Sequence, residues 1–111
     1  MARVVAVFDD LLLGSNVLGM LQAAGHDATL SGADVQPAGA DLVIVDLGAS
    51  TFDGVAVAES LPQGTRKLGV YSHVDVDTRN RANAAGFDLV VPRSRLAREG
   101  AQLVSRLTGP T

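Results

Sequence analysis

Apolar and polar positions divide the chain into two alternating kinds of segment. Short apolar runs rich in valine alternate with longer segments in which apolar residues recur three or four positions apart, most of them ending at a glycine. This alternation is typical of βαβ units, in which a parallel sheet is covered by helices on both faces. The predicted strands are Arg3–Phe8, Asp27–Leu30, Asp41–Leu47, Lys67–Ser72 and Asp88–Val91.

Helices are predicted from apolar spacing together with capping and stop residues. The connection of residues 31–40 holds two glycines and a proline and is short for a crossover helix, so we expect at most a helical turn there. The fold class predicted is α/β, a doubly wound five-stranded parallel sheet in the order 2-1-3-4-5 whose second helix is short or missing. The predicted helices run from Leu12 to Ala24, from an Asp53 cap to Ser60, from Asp75 or Asp77 to the stop at Gly86, and from a Ser94 cap to Gly109.

Length and composition fit one soluble domain. The 111 residues are expected to form a single domain over 1–108, with a frayed tail at 109–111. The absence of cysteine excludes disulfides and thiolate chemistry, and it leaves zinc only two distant histidines and carboxylates. The amino-terminal apolar run is too short to span a membrane and lacks a cleavage site, so the expected location is the cytoplasm.

Charge is divided unevenly along the chain. Residues 1–65 hold eight acidic residues and one basic residue, whereas residues 66–111 hold eight basic and four acidic residues. With 4% aromatic residues there is no basic and aromatic stripe for nucleic acid, so direct DNA binding is not expected. Arg93, Arg95 and Arg98 open the last helix, either as a solvated face or as a docking patch for an acidic partner.

Three acidic residues end two strands that the predicted order makes neighbours. Ligands of open α/β sheets bind beyond the carboxyl ends of the strands where the order reverses, so Asp9 and Asp10 should meet Asp46 there. Crowded carboxylates favour a hard cation such as Mg²⁺, beside which Asp46 could attack a phosphoryl donor. Ser72 and Arg93 lie at the same edge and suit phosphoryl oxygens. The simpler alternative is that Asp10 only caps a helix and Asp46 only ends a strand.

The chain resembles the receiver domain of bacterial response regulators over essentially its whole length. The resemblance rests on the order of the strand-end residues, which are Asp9, Asp10, Asp46, Ser72 and Arg93. Asp53-Gly54, seven residues after Asp46, is a further match. The resemblance implies a flavodoxin-like fold and a phosphoacceptor that closes the third strand. It assigns these roles to residues of this chain: Asp46 as phosphoacceptor, Ser72 as the switch hydroxyl, Arg93 as the basic residue, and Asp9, Asp10, Asp46 and the Gly48 carbonyl as Mg²⁺ ligands.

Several positions depart from that family. Arg93 replaces its lysine, Ser50 and Ser94 replace prolines, and the second helix is nearly absent. Arginine and lysine bind differently, because one is a planar fork and the other a point charge. The departures resemble a divergent stand-alone group whose strand ends read Asp9-Asp10-Leu11, Ser72-His73-Val74-Asp75 and Pro92-Arg93-Ser94.

Two functions are predicted from these residues. Neither makes the protein an enzyme, apart from self-phosphorylation. The first is a single-domain response-regulator-like protein that accepts a phosphoryl group on Asp46 in a phosphorelay. The second is a pseudo-receiver, a protein-interaction module that is not phosphorylated. Binding of a nucleotide is disfavoured because no glycine-rich loop follows the first strand. The expected partner is a histidine kinase or another signalling protein, with a homodimer as an option and His73 as a candidate gate beside Ser72.

Overall fold

The valine-rich runs form one parallel sheet in a computed structural model that describes residues 2–35, 39–72 and 76–109. The strand order is β2-β1-β3-β4-β5, so the predicted order 2-1-3-4-5 and the doubly wound flavodoxin-like class are confirmed. Strand ends agree with the predicted ones to within one residue. The strands are β1 (Arg3–Val7), β2 (Asp27–Ser31), β3 (Leu42–Asp46), β4 (Lys67–Tyr71) and β5 (Leu89–Pro92).

Side chains of the central strands alternate between the two faces of the sheet, as the period of two in a strand requires. The helices that cover these faces are α1 (Leu11–Ala23), α2 (Gly54–Glu59), α3 (Val76–Ala84) and α4 (Arg93–Leu107). Val4 and Ala6 pack on one face with residues of α1 and α4, whereas Val7 packs on the other face with residues that include Val57 of α2. Both faces are therefore apolar, which explains why β3 is buried along its whole length.

The predicted Asp53 cap, the Asp10 cap that the sequence left open as an alternative, and two predicted stops are confirmed. The Asp10 carboxylate accepts hydrogen bonds from the backbone N–H groups of Leu12 and Leu13 at the start of α1. Asp53 caps α2 in the same way. Gly25 and Gly86 have φ of 92° and 81°, a left-handed conformation that lets the chain leave α1 and α3.

The prediction that Ser94 caps the last helix is wrong. Helix α4 already begins at Arg93, and Pro92 takes the cap position with extended backbone and no side-chain cap bond. Strand β5 therefore runs directly into α4, because proline fixes a φ that suits the residue just before a helix. This places Arg93, not Ser94, at the first position of the helix.

Two further predictions are only partly covered by the structure. Asp77 lies in the first turn of α3 and does not precede it, whereas Asp75 lies outside the described residues. Between β2 and β3 the described residues contain a turn and no helix, while residues 36–38 fall outside that part of the chain. No helix among the described residues is long and apolar enough to cross a membrane.

Candidate functional site

The carboxyl edge of the sheet brings the predicted site residues to one end of the molecule. β1 and β3 are neighbours, with Val7 opposite Val45, so the residues that follow them meet at that edge. Asp46 is the last residue of β3, and Arg93 is the first residue of α4, directly after β5. Backbone topology alone thus places an acid and a base from distant parts of the sequence at the same edge.

Asp46 is the one charged or polar residue that is fully buried in the described part of the chain, with 0% exposure. Its Oδ1 atom accepts a hydrogen bond from the Gly48 N–H at 2.9 Å, and its Oδ2 atom accepts one from Arg93 Nη2 at 3.2 Å. Burial raises the pKa of Asp46, whereas the bonds from Gly48 and Arg93 oppose that change. The carboxyl group is thus engaged at both oxygens.

Arg93 has a buried inner part and a partly open outer one. Its side chain is 32% exposed, and its Nε atom is buried without a hydrogen-bond partner among the described residues. A cation at the amino end of a helix is opposed by the helix dipole, so the Asp46 carboxylate compensates a position that is otherwise unfavourable. The guanidinium meets Asp46 through Nη2 rather than as a two-pronged fork.

Gly48 leaves a small space in front of these groups. A Cβ atom at this position would lie 3.5 Å from Asp46 Oδ1, 3.7 Å from Ser72 Oγ and 3.9 Å from Arg93 Nη2. The nucleophile, hydroxyl and base predicted from the sequence are therefore brought around one point. His73, the predicted gate beside Ser72, lies outside the described residues.

Asp9 has a role that the sequence reasoning missed. Its Oδ2 atom accepts hydrogen bonds from the backbone N–H and the hydroxyl of both Ser50 and Thr51, at 2.8 to 3.2 Å. These bonds, with the Thr51 N–H first, lower the pKa of Asp9. Asp9 thereby ties the end of β1 to the loop between β3 and α2. The sequence signal for this contact is the Ser50-Thr51 pair, whose backbone N–H and hydroxyl groups are suitable donors to a carboxylate.

Among the predicted metal ligands, Asp46 is not arranged to bind Mg²⁺. Asp10 turns to the α1 backbone, Asp9 to Ser50 and Thr51, and Asp46 to Gly48 and Arg93. Within the ranges that the structure describes, no group of three or more His, Cys, Asp or Glu residues could hold a metal ion. Mg²⁺ prefers carboxylate oxygens that are free to complete an octahedron, and both oxygens of Asp46 already accept bonds from protein donors, whereas the donors at Asp9 and Asp10 use one oxygen of each.

Two contacts fix the elements around Asp46. A Cβ atom at Gly54 would come within 2.6 Å of the Asp46 carbonyl oxygen, so only glycine lets α2 start this close to β3. The Asp53 cap also binds Arg81 of α3 at 2.5 Å, which lowers the pKa of Asp53. The spacing Asp46 to Asp53-Gly54 therefore has a packing reason.

The arginine cluster at the start of α4 is divided among acidic partners. Arg93 binds Asp46, while Arg95 and Arg98 both lie within 4 Å of the Glu99 carboxylate, at 3.5 Å and 3.3 Å. Exposed pairs of this kind contribute little to stability. Two of the three arginines thus match the solvated face that the sequence left open as one alternative.

Solved receiver domains superpose on almost the whole chain. The response regulator receiver domain protein (CheY-like) from Methanospirillum hungatei JF-1 has a TM-score of 0.85 at 17% identity, over 97% of this chain and 94% of that one. The chain has the receiver fold. The non-phosphorylated HemR receiver domain from Leptospira biflexa is similar, with a TM-score of 0.84 at 20% identity over 100% of this chain and 97% of that one.

A third similar structure is the receiver domain of the Francisella response regulator 1452, with a TM-score of 0.82 at 14% identity over 97% of each chain. No protein-family model matches the sequence, and no curated protein matches it. At these identities the likeness concerns the receiver fold, and the roles of Asp46, Ser72 and Arg93 on it stay predictions.

Proposed function

We propose that the protein is a pseudo-receiver, a signalling module that acts by binding another protein and in which Asp46 is not phosphorylated. The observation that carries this proposal is that both oxygens of the fully buried Asp46 carboxylate are engaged, one by Gly48 and the other by Arg93. A carboxylate nucleophile must present a free oxygen to its phosphoryl donor. Here each oxygen of Asp46 already accepts a hydrogen bond, and the residue has no exposed surface.

The identity of the base strengthens this argument. Arginine stays charged at every pH that a protein experiences, and it is more weakly hydrated than lysine, which suits a partly buried ion pair. Moving Arg93 away would leave a buried carboxylate without its charged donor, an arrangement that costs about 2 kcal/mol. The pair is therefore expected to stay closed and to act as part of the structure.

The partner is proposed to be a histidine kinase, another signalling protein or a second copy of this chain, in the cytoplasm. Leu11 and Leu12 at the start of α1 are large apolar side chains with 69% and 74% exposure, and they follow the acidic pair. A protein partner would remove this apolar area from water. Nothing in the chain's charge pattern favours DNA as the partner.

A second candidate, phosphorylation of Asp46, is favoured by the space at Gly48. This space adjoins Asp46 Oδ1, Ser72 Oγ and Arg93 Nη2, which are a nucleophile, a hydroxyl and a cation. In that reaction a carboxylate oxygen forms a bond to phosphorus, and the atom that linked the phosphoryl group to its donor leaves with the bonding electrons. The donor would be a histidine kinase or a small acyl phosphate. The arrangement of the acids counts against the Mg²⁺ part of this candidate.

Incubation with acetyl phosphate and Mg²⁺, followed by intact-mass measurement, separates the two candidates. The wild-type protein is expected to gain no phosphoryl group, because Asp46 is covered by Arg93. The comparison variants are Arg93→Lys, which keeps the charge but loses the fork, and Asp46→Asn, which removes the acceptor. An established receiver domain in the same reaction checks that the donor is active.

An alkali-labile phosphoryl mass on the wild type that is absent from Asp46→Asn would overturn the pseudo-receiver proposal. Modification of Arg93→Lys alone would identify Arg93 as the block. If neither protein is modified, the phosphoacceptor candidate is abandoned.

A further inference from the structure

We propose that Arg93 takes the place of a divalent cation at the acidic edge of this receiver fold, so that the site is complete without Mg²⁺. The inference concerns the same residues as the proposed function and rests, as that proposal does, on an Asp46–Arg93 ion pair that stays closed. It adds a separate property, the lack of response to a metal, to the lack of phosphorylation.

The first step concerns charge. Burial is the main cause that raises the pKa of Asp46, and repulsion from Asp9 is a smaller one, so the edge carries two carboxylates that repel each other. In such a cluster a cation relieves the repulsion. The Arg93 guanidinium lies 3.2 Å from Asp46 Oδ2 and supplies that positive charge from within the chain. A metal is therefore not needed to balance the buried carboxylate.

The second step concerns the ligands. Asp9 is held by four hydrogen bonds from Ser50 and Thr51, and Asp10 by two from the first turn of α1. These bonds use one oxygen of each carboxylate, Oδ2 of Asp9 and Oδ1 of Asp10, whereas Asp46 is engaged at both of its oxygens, so a metal would have to displace Arg93 from Asp46. The structure thus gives Asp9 the role of a positioning residue that fixes the loop after Asp46, in place of a metal ligand.

Thermal unfolding tests the first step. The wild-type midpoint should be the same in chelator and in about 10 mM Mg²⁺ at matched ionic strength, because a ligand that binds the folded state raises the midpoint. Arg93→Met keeps the alkyl stem but removes the charge, and this variant should gain a midpoint increase with Mg²⁺. A Mg²⁺-dependent increase in the wild type, or shifts of the Gly48 amide resonance on Mg²⁺ titration, would overturn the inference. An Arg93→Met variant without a Mg²⁺ response would also overturn it.

Amide hydrogen exchange tests the second step without relying on Arg93→Met. In Asp9→Ala the N–H groups of Ser50 and Thr51 should exchange faster by about tenfold or more, as the loss of a hydrogen bond to a charged acceptor implies. The Gly48 N–H, which donates to Asp46, serves as the internal control. Unchanged exchange at Ser50 and Thr51 would show that Asp9 does not hold the loop, and the assignment would fail.

The outcomes are distinguishable from those for the proposed function. A protein that accepts a phosphoryl group but ignores Mg²⁺ in unfolding would refute the pseudo-receiver while leaving this inference in place. A protein that responds to Mg²⁺ but is never phosphorylated would refute this inference and leave the pseudo-receiver proposal in place.

Discussion

Asp46 is both the most buried polar group of the described chain and the centre of the candidate site. Its raised pKa means that the folded state opposes the charged form in spite of Gly48 and Arg93, with burial as the largest cause. Asp9 and Asp53 behave in the opposite way, because hydrogen bonds favour their charged forms. The same edge therefore contains carboxylates whose effects on stability have opposite dependence on pH.

Replacing Asp46 with asparagine is expected to raise the free energy of unfolding near neutral pH, because it removes the charge that burial disfavours. A carboxyl whose pKa is raised in the folded state stabilises fully only below its ordinary value of 3.8, and this contribution is lost as the pH rises through the folded-state pKa. The advantage of the variant should thus grow as the pH rises above 3.8.

Chemical denaturation of both proteins across that pH range measures the difference. Below 3.8 both should lose stability together as Asp9 and Asp53 become protonated. An Asp46→Asn variant that is clearly less stable than the wild type at neutral pH would mean that Asp46 is a well-satisfied structural carboxylate.

The sequence predicts individual residues where a general rule places them and misses those that depend on loop conformation. Asp46, Ser72 and Arg93 follow from the rule that ligand sites lie at the carboxyl ends of parallel strands. The contacts of Asp9 depend on how the loop at Ser50 and Thr51 folds back, which no periodicity records. For that reason the sequence does not predict the bonds of Asp9 to Ser50 and Thr51, and the convergence of three acids on a metal stays a prediction.

At the scale of elements, the start of α2 is the most tightly determined contact near the site. Gly54 faces the backbone of β3, with the Asp46 carbonyl oxygen 2.6 Å from the position of an added Cβ atom and the Leu47 Cα 3.1 Å from it. Backbone atoms cannot rotate away as a side chain would. A side chain at Gly54 must therefore push α2 away from β3, which carries Asp46.

Gly54→Ala is accordingly expected to lower the free energy of unfolding by about 1–3 kcal/mol, the usual effect of overpacking. Gly19→Ala is a matched control within α1, because nothing lies within 4 Å of its added Cβ. That control should gain about 0.5–1 kcal/mol from helix propensity. Denaturant midpoints of the two variants test the pair. Equal effects in both would show that the close approach of Gly54 to β3 does not exist in solution.

Element types and order were predictable because the apolar runs and glycine stops are strong local signals, as at Gly25 and Gly86. The start of α4 was not predictable from such signals. Ser94 is a good capping residue by type, but Pro92 already ends β5 in extended backbone, so the helix begins one residue before Ser94. That small difference matters, because it turns Arg93 from a loop residue into the first residue of a helix.

At the scale of the whole molecule, the Asp46–Arg93 pair joins the centre of the sheet to its far edge. The two residues are 47 positions apart, and β4 lies between β3, which ends at Asp46, and β5, which directly precedes Arg93. The pair therefore couples β3 to the junction of β5 and α4, two parts that the sheet order separates by one strand. The receiver fold positions the two side chains, but their identities decide whether the site stays closed.

A double-mutant cycle of Asp46→Asn and Arg93→Met, measured by chemical denaturation at neutral pH, tests this account most directly. Arg93→Met alone should lower the free energy of unfolding by about 2 kcal/mol, since it leaves a buried carboxylate without its charged donor. The same change made in the Asp46→Asn variant should have little effect, which gives a coupling energy of about 1–3 kcal/mol. A coupling energy of zero would contradict the account, because it would mean that Arg93 and Asp46 do not form a standing pair in solution.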